Sequence, residues 1–250
     1  MDRKRNAVAA AERLMAAHLL KLSNGETISY LLERRQRRTI GLKITADGLV
    51  VHAPKRIFEY QLNQVLQEKS HWILSKLRAR EANYIEPVQW LDGEHLLYLG
   101  GDVQLNIAQH STSKAATFEQ NKLLIAQQDP KNQTLTCRKI VAWYKKQALL
   151  DFSRRLEIFA AKLNVPAPPL TLSNAKSRWG SCNSRGEVRL NWRLLQAPPH
   201  IINYVICHEL AHLKQMNHSA KFWAVVESLC PAYKLAEKEL KNLSPQLHRI

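Results

Sequence analysis

The sequence predicts an α+β chain: a β-rich N-terminal half that holds one long helix, then a compact C-terminal half. Three observations predict it. Short runs of alternating apolar and polar residues, separated by turns that contain Gly and Asp, recur between residues 27 and 126. Two long segments, 58–83 and 134–163, carry apolar residues at helical spacing instead. Prolines at 166, 168, 169, 198 and 199 then break the C-terminal half into shorter elements.

Residues 7–22 read as a helix, because Val8, Leu14, Leu19, Leu20 and Leu22 give a partial apolar face among alanines. Residues 1–22 are expected to form a helical N-terminal extension. Residues 27–32 alternate as a strand, and a basic cluster of Arg34, Arg35, Arg37 and Arg38 follows. The runs 39–45 and 49–53 flank Asp47-Gly48, a strong hairpin signal, and Pro54 ends the second run. Residues 58–83 read as one helix whose apolar side is Leu62, Val65, Leu66, Trp72, Ile73 and Leu77. Further strands are expected at 96–99, 103–107 and 123–125, with Gly100-Gly101 as a turn. The polar stretch 127–133 reads as a linker, which puts the division between halves at 23–130 and 131–250. Helix 134–163 presents Ile140, Trp143, Leu150, Leu156 and Phe159 inward, and Pro166, Pro168 and Pro169 terminate it. After a turn at 183–186, residues 187–192 alternate as a strand. No internal repeat is visible.

Composition narrows the functional classes. Lys and Arg number 37 against 21 Asp and Glu, a formal charge of +16 in 250 residues. Such a surface attracts anions, so nucleic acid and nucleotides are candidate partners through the basic surface. A solvated charged face is the plain alternative. Eight Gly are about half the usual share of ~7%, which argues against Gly-rich phosphate cradles. Cys137, Cys182, Cys207 and Cys230 form no C-x-x-C pair, so neither a disulfide scaffold nor a zinc ribbon is expected. The N-terminus begins like a signal peptide, but Glu12 and Arg13 interrupt its apolar run. No segment approaches 18 apolar residues. A cytoplasmic protein with no membrane partner is expected.

Cys207-His208-Glu209-Leu210-Ala211-His212 carries the chemistry. On a helix, positions i and i+4 lie on one face, so His208 and His212 aim two imidazoles at one point, as zinc ligands do. Glu209 lies about 100° away around the helix, where its carboxylate can serve a metal-bound water without being a ligand. Pro198-Pro199 suits the helix start, and Ile202, Ile206, Leu210 and Leu213 form the stripe opposite the histidines. His218 lies six residues after His212 and supplies a third ligand. Metzincins share this spacing but place Gly three residues after the second His, where this chain has Gln215. Asn217 is therefore expected to take the left-handed conformation that makes the turn. Three neutral His ligands leave one zinc position for water.

The motifs Ser177-Arg178-Trp179-Gly180-Ser181-Cys182, Arg189-Leu190-Asn191-Trp192-Arg193-Leu194, Ala197-Pro198-Pro199, His208 to Leu213, Asn217-His218-Ser219 and Phe222-Trp223 follow in order. In this order they resemble the bacterial YgjP-like metallopeptidases and are more distantly similar to the SprT and Wss-type proteases. The resemblance spans about residues 23–245. It implies a zincin-like C-terminal half with one zinc ion on His208, His212 and His218, and Glu209 as catalytic acid and base. Tyr233, Arg178 and Asn217 are candidates for stabilising the oxyanion. If 187–192 is an edge strand, a peptide substrate can pair with it, with Trp179, Gly180, Ser181, Arg189 and Asn191 as candidate substrate contacts. Cys182 is read as a buried thiol or a cleft residue, and Cys207 as core. Three alternatives stand beside the peptidase: a metal-dependent nucleotide or phosphate-ester hydrolase, a DNA-associated crosslink protease, and a binding module with a structural metal. The first lacks an acidic cluster for Mg²⁺, and the last has no use for Glu209.

Overall fold

The computed structural model describes residues 17–22, 25–45, 47–82, 84–109 and 116–250. They divide into two compact units, one ending at Tyr84 and the other starting at Ile85. The fold is α+β, with three sheets of mixed strand direction and six α-helices among the described residues.

The first unit contains strands β1 (Ala17–Lys21), β2 (Thr27–Arg35), β3 (Gly41–Thr45) and β4 (Gly48–Pro54), then helices α1 (Glu59–Glu68) and α2 (Ser70–Ala82). The strand order is β1-β2-β4-β3, with β2 and β4 parallel and the outer pairs antiparallel. The described end of the expected N-terminal helix is thus a strand. Leu20 packs into the core while Leu19 faces water, a period of two rather than 3.6. Residues 7–16 lie outside the described residues. The hairpin sits one residue earlier than Asp47-Gly48. Gly48 pairs with Thr45 and takes φ +114°, which glycine adopts without strain.

The expected 58–83 helix breaks at Lys69, whose backbone (φ −94°, ψ 4°) leaves the helical range. Leu62, Leu66 and Ile73 still keep one buried stripe against Ile28, Tyr30, Leu49 and Val51 of the sheet. Trp72 lies outside that stripe and is exposed.

The second unit opens with β5 (His95–Tyr98), β6 (Gly101–Ala108), β7 (Thr117–Glu119) and β8 (Lys122–Ala126). Their order, β5-β6-β8-β7, and their parallel and antiparallel pairings repeat those of the first sheet. The chain therefore carries a repeat of topology that its sequence does not display. The first turn is Leu99-Gly100 rather than Gly100-Gly101 (φ 52° and 80°), because Tyr98 pairs with Gly101. β7 was not expected. It lies at the surface, with Phe118 resting on Tyr98 and Trp143, and turns through Gln120-Asn121, both left-handed without a glycine.

Helix α3 (Gln133–Lys162) starts where Asn132 Oδ1 accepts from the Leu135 N–H at 3.0 Å. It ends before any proline: Asn164 turns left-handed (φ 52°) and Val165 N–H returns to the Ala160 carbonyl. Leu150 faces water. Tyr144, Ala148 and Phe152 fill the stripe together with Ile140, Trp143, Leu156 and Phe159. Strands β9 (Leu170–Ser173), β10 (Gly180–Cys182) and β11 (Val188–Asn191) form the third sheet in the order β10-β11-β9. A 3₁₀ turn (Trp192–Gln196) leads to helices α4 (Pro199–Ala211), α5 (Ala220–Leu229) and α6 (Tyr233–Leu247).

Helix α4 is the axis of this unit. Ile201, Ile202, Ile206, Cys207, Leu210 and Ala211 are all buried within one core that also takes in α3, α5 and α6. Two contacts fix where it begins. The β5–β6 turn lies on Pro198, with Leu99 and Gly100 N–H bonded to the Leu195 and Gln196 carbonyls. A Cβ on Gly100 would come 2.9 Å from Pro198 Cα. From α3, the buried Arg155 holds Asp151 at 2.6 and 3.1 Å and donates to Asn203 Oδ1 at 2.6 Å. Arg155→Met leaves the Asn203 amide oxygen without its donor and Asp151 with only the longer Arg154 contact at 3.6 Å. The expected loss is roughly 2–4 kcal/mol, read as a lower urea midpoint at unchanged slope. Adding Asp151→Leu, which removes the stranded carboxylate, should recover part of it.

Candidate metal centre

Helix α4 ends at Ala211, and the chain then turns through Leu213 N–H to the Leu210 carbonyl (3.0 Å) and Gln215 N–H to the Ala211 carbonyl (2.9 Å). These turn bonds remove the need for a glycine. Asn217 is exposed and is not left-handed, contrary to the expectation from spacing. The turn returns His218 to the helix end. His208, His212 and His218 each offer a ring nitrogen, all within 4.8 Å of one another.

His212 Nδ1 lies 3.2 Å from the Gln215 carbonyl, to which it donates, so Nε2 keeps its lone pair. His208 Nδ1 is buried with no hydrogen-bond partner, which leaves Nε2 as that ring's only polar outlet. His208 Nε2 and His218 Nε2 are 3.2 Å apart. The edge of a tetrahedron of nitrogens about 2.0–2.1 Å from a zinc ion is about 3.3 Å, so this pair is spaced as two ligands of such an ion are. Burial, then the neighbouring His212 and His218, lower the His208 pKa to about 4. Burial likewise lowers that of His212. Neutral imidazoles are what a cation needs as ligands.

An apolar wall closes one side. The buried Phe222 ring lies 5.0, 4.6 and 4.6 Å from the rings of His208, His212 and His218. Trp223 lies 5.8 Å from His208 and 6.0 Å from His218, and Tyr233 stacks on its far side at 5.3 Å. Tyr233 thus braces the wall through Trp223. Tyr204 is the residue the sequence reading missed. It lies one turn before His208 with its ring edge-on at 6.0 Å, and burial, then Glu237 and Glu209, raise its phenol. The signal was present: 204, 208 and 212 share one helical face.

Glu209 is 5% exposed and has no hydrogen-bond partner among the described residues. Burial pushes its pKa up to about 8. Gly180 of β10 lies directly on it. A Cβ there would fall 2.6 Å from Glu209 Cγ, 2.7 Å from Cδ, and against Oε1. Cys182, two residues along and on the same face, has its thiol raised by burial and then by Glu209. It does not join the histidine group. Cys207 is buried in the core, and burial raises its thiol.

The 187–192 run offers no free edge, because β11 pairs with β10 on one side and β9 on the other; β10 and β9 are the edge strands, and β10 is the one that lies on Glu209. Asn191 N–H bonds to the Trp179 carbonyl and Asn183 N–H to the Glu187 carbonyl. In an antiparallel ladder the alternate residues, Gly180 and Cys182, then turn their backbone groups to the free edge. Arg189 is exposed on the central strand. Asn191 is buried, donating to the Ala175 carbonyl at 2.7 Å and capping the 3₁₀ turn through Arg193 N–H. Trp179 donates to Ser244 Oγ at 3.0 Å and stacks on His248, and so belongs to the α6 packing. Ser181 is half-buried on β10. Arg178 is exposed and makes no hydrogen bond or ion pair among the described residues.

The metallopeptidase zymogen abylysin of Pyrococcus abyssi is 25% identical, over 37% of this chain and 94% of its own, with a TM-score of 0.34. The jannalysin zymogen of Methanocaldococcus jannaschii is 22% identical, over 37% and 96%, with a TM-score of 0.32. A search of curated proteins gives no match. The family model described as the YgjP-like metallopeptidase domain matches residues 38–243, a span that includes all three histidines, Glu209 and β10, and the chain belongs to that family.

Proposed function

We propose that the chain is a zinc-dependent peptidase in which His208, His212 and His218 hold one ion and Glu209 handles the proton. The observation that carries the reading is the convergence of three imidazoles beside a buried carboxylate that has no structural partner. A zinc ion bound there supplies Lewis acidity to a carbonyl oxygen and lowers the pKa of water at its open position. Positive charge at the histidines opposes the upward shift of Glu209 and leaves its Oε1 ready to accept a proton. Glu209 returns that proton to the leaving amine. The edge of β10 at Gly180 and Cys182 aligns an extended peptide by main-chain hydrogen bonds next to the carboxylate. Phe222 and Trp223 keep the histidine side apolar, which strengthens the electrostatics of the site. Tyr204, on the same helical face as His208 and edge-on to its ring, joins Arg178, Asn217 and Tyr233 as a candidate to serve an oxyanion.

The test is chelation and reconstitution. Treatment with a strong chelator should abolish cleavage of an unfolded protein substrate, and one equivalent of zinc should restore it. Nucleoside triphosphates offered to the same preparation should release no phosphate. Phosphate release without proteolysis would replace this reading with the phosphohydrolase. No helix among the described residues is long and apolar enough to cross a membrane.

A further inference from the structure

The first unit places two large aromatic rings in water beside its densest positive charge. Arg34 and Arg35 end β2 in register with Ala53 and Pro54 of the parallel strand β4. Arg34 Nη1 donates to the Lys55 and Ile57 carbonyls, both at 3.2 Å, which ties the two strand ends together. Arg34, Arg35, Lys55 and Arg56 are therefore neighbours, Arg38 follows three residues after β2 ends, and all five are exposed. Arg38, Lys55 and Arg56 have no ion-pair partner among the described residues. The acids nearby are Glu33, which pairs with Arg35 at 2.5 Å and His52 at 3.4 Å, and Glu59. From the same segment rise Phe58 (66% exposed) and Tyr60 (67%), stacked at 5.9 Å with their planes 20° apart.

We propose that this patch binds single-stranded nucleic acid. Cations that track a phosphate chain, next to exposed rings on which bases stack, are the two elements of sequence-tolerant single-strand binding. A merely solvated charged face has no reason to hold two aromatic rings in water. An anionic membrane fits less well, since Glu59 stands between the rings and no apolar helix face adjoins them. The inference does not depend on the peptidase reading, because every residue it uses lies in the first unit.

Anisotropy of labelled oligothymidylate and oligouridylate of about 20 nucleotides, titrated with the full chain between about 50 and 200 mM salt, tests it. Both strands should bind, more tightly than a duplex of the same length. Phe58→Ala/Tyr60→Ala should weaken binding at least ~10-fold with the salt slope unchanged. Arg38→Ala/Arg56→Ala should lower that slope by about 1.4, at about 0.7 per phosphate contact. These side chains are exposed and the α1 cap rests on the Phe58 backbone N–H, so both variants should keep the wild-type melting temperature and peptidase activity. Oligonucleotide affinity equal in wild type and both variants overturns the proposal. So does capture by phosphatidylserine vesicles that needs Phe58 and Tyr60 while the oligonucleotides stay free.

Discussion

Glu209→Gln should lower peptide cleavage about 10³-fold, within the 10²–10⁴ that a positioned general base contributes, while zinc content matches wild type. The amide fills the same volume beside Gly180 but accepts no proton. The same variant should be more stable than wild type once zinc is removed. A carboxyl whose pKa rises from 4.5 unfolded to about 8 folded binds its proton more tightly in the folded state. The stability this gives is complete below pH ~4.5 and is lost as pH climbs through 8. Metal-free wild type therefore weakens between these values, and the glutamine variant does not. At pH 8 we expect the variant to melt roughly 2–8 °C higher, measured by calorimetry in chelator. Equal melting points across that range would show that the carboxylate is solvated.

The second large effect is expected at Gly180. Its φ is not left-handed, so alanine suits the backbone, and only the space taken by Glu209 forbids it. Glu209 is the movable partner, because β10 is held by β11 through the register of 180 with 190. Gly180→Ala should therefore push the carboxylate aside. Displacement by about 1 Å costs about 10² in rate, and the overpacking costs about 1–3 kcal/mol in stability. Steady-state kinetics with zinc analysis separates these effects: activity falls while the metal stays bound. Ser181→Ala on the same strand should leave both near wild type. Gly180→Ala/Glu209→Asp should recover nothing, since aspartate keeps the Cγ that the new methyl group meets at 2.6 Å.

The histidine group was legible because i, i+4 spacing on a helix and a turn of six residues are local facts, and local facts survive folding. Asn217 failed as the turn residue because ordinary helical turn bonds at Leu213 and Gln215 already reverse the chain. Strand order is not local. Nothing in the alternation of 187–192 tells a central strand from an edge, so it offers Arg189 and Asn191 as substrate contacts although the free edge belongs to β10 with Gly180 and Cys182. Leu150 and Trp72 are apolar residues beside a stripe rather than on it, and periodicity over a long window absorbs them. The repeated β-sheet topology left no trace because pairing direction is set by backbone contacts that many sequences satisfy.

The contact between Gly180 and Glu209 also bears on how this family can change by descent. A methyl group at 180 harms the enzyme with either acid at 209, because aspartate and glutamate share the Cγ that it meets. No single conservative step at 209 opens room for it. Position 180 is thus closed to change for as long as an acid stands at 209, and a lineage that departs from glycine there should have lost the acid as well.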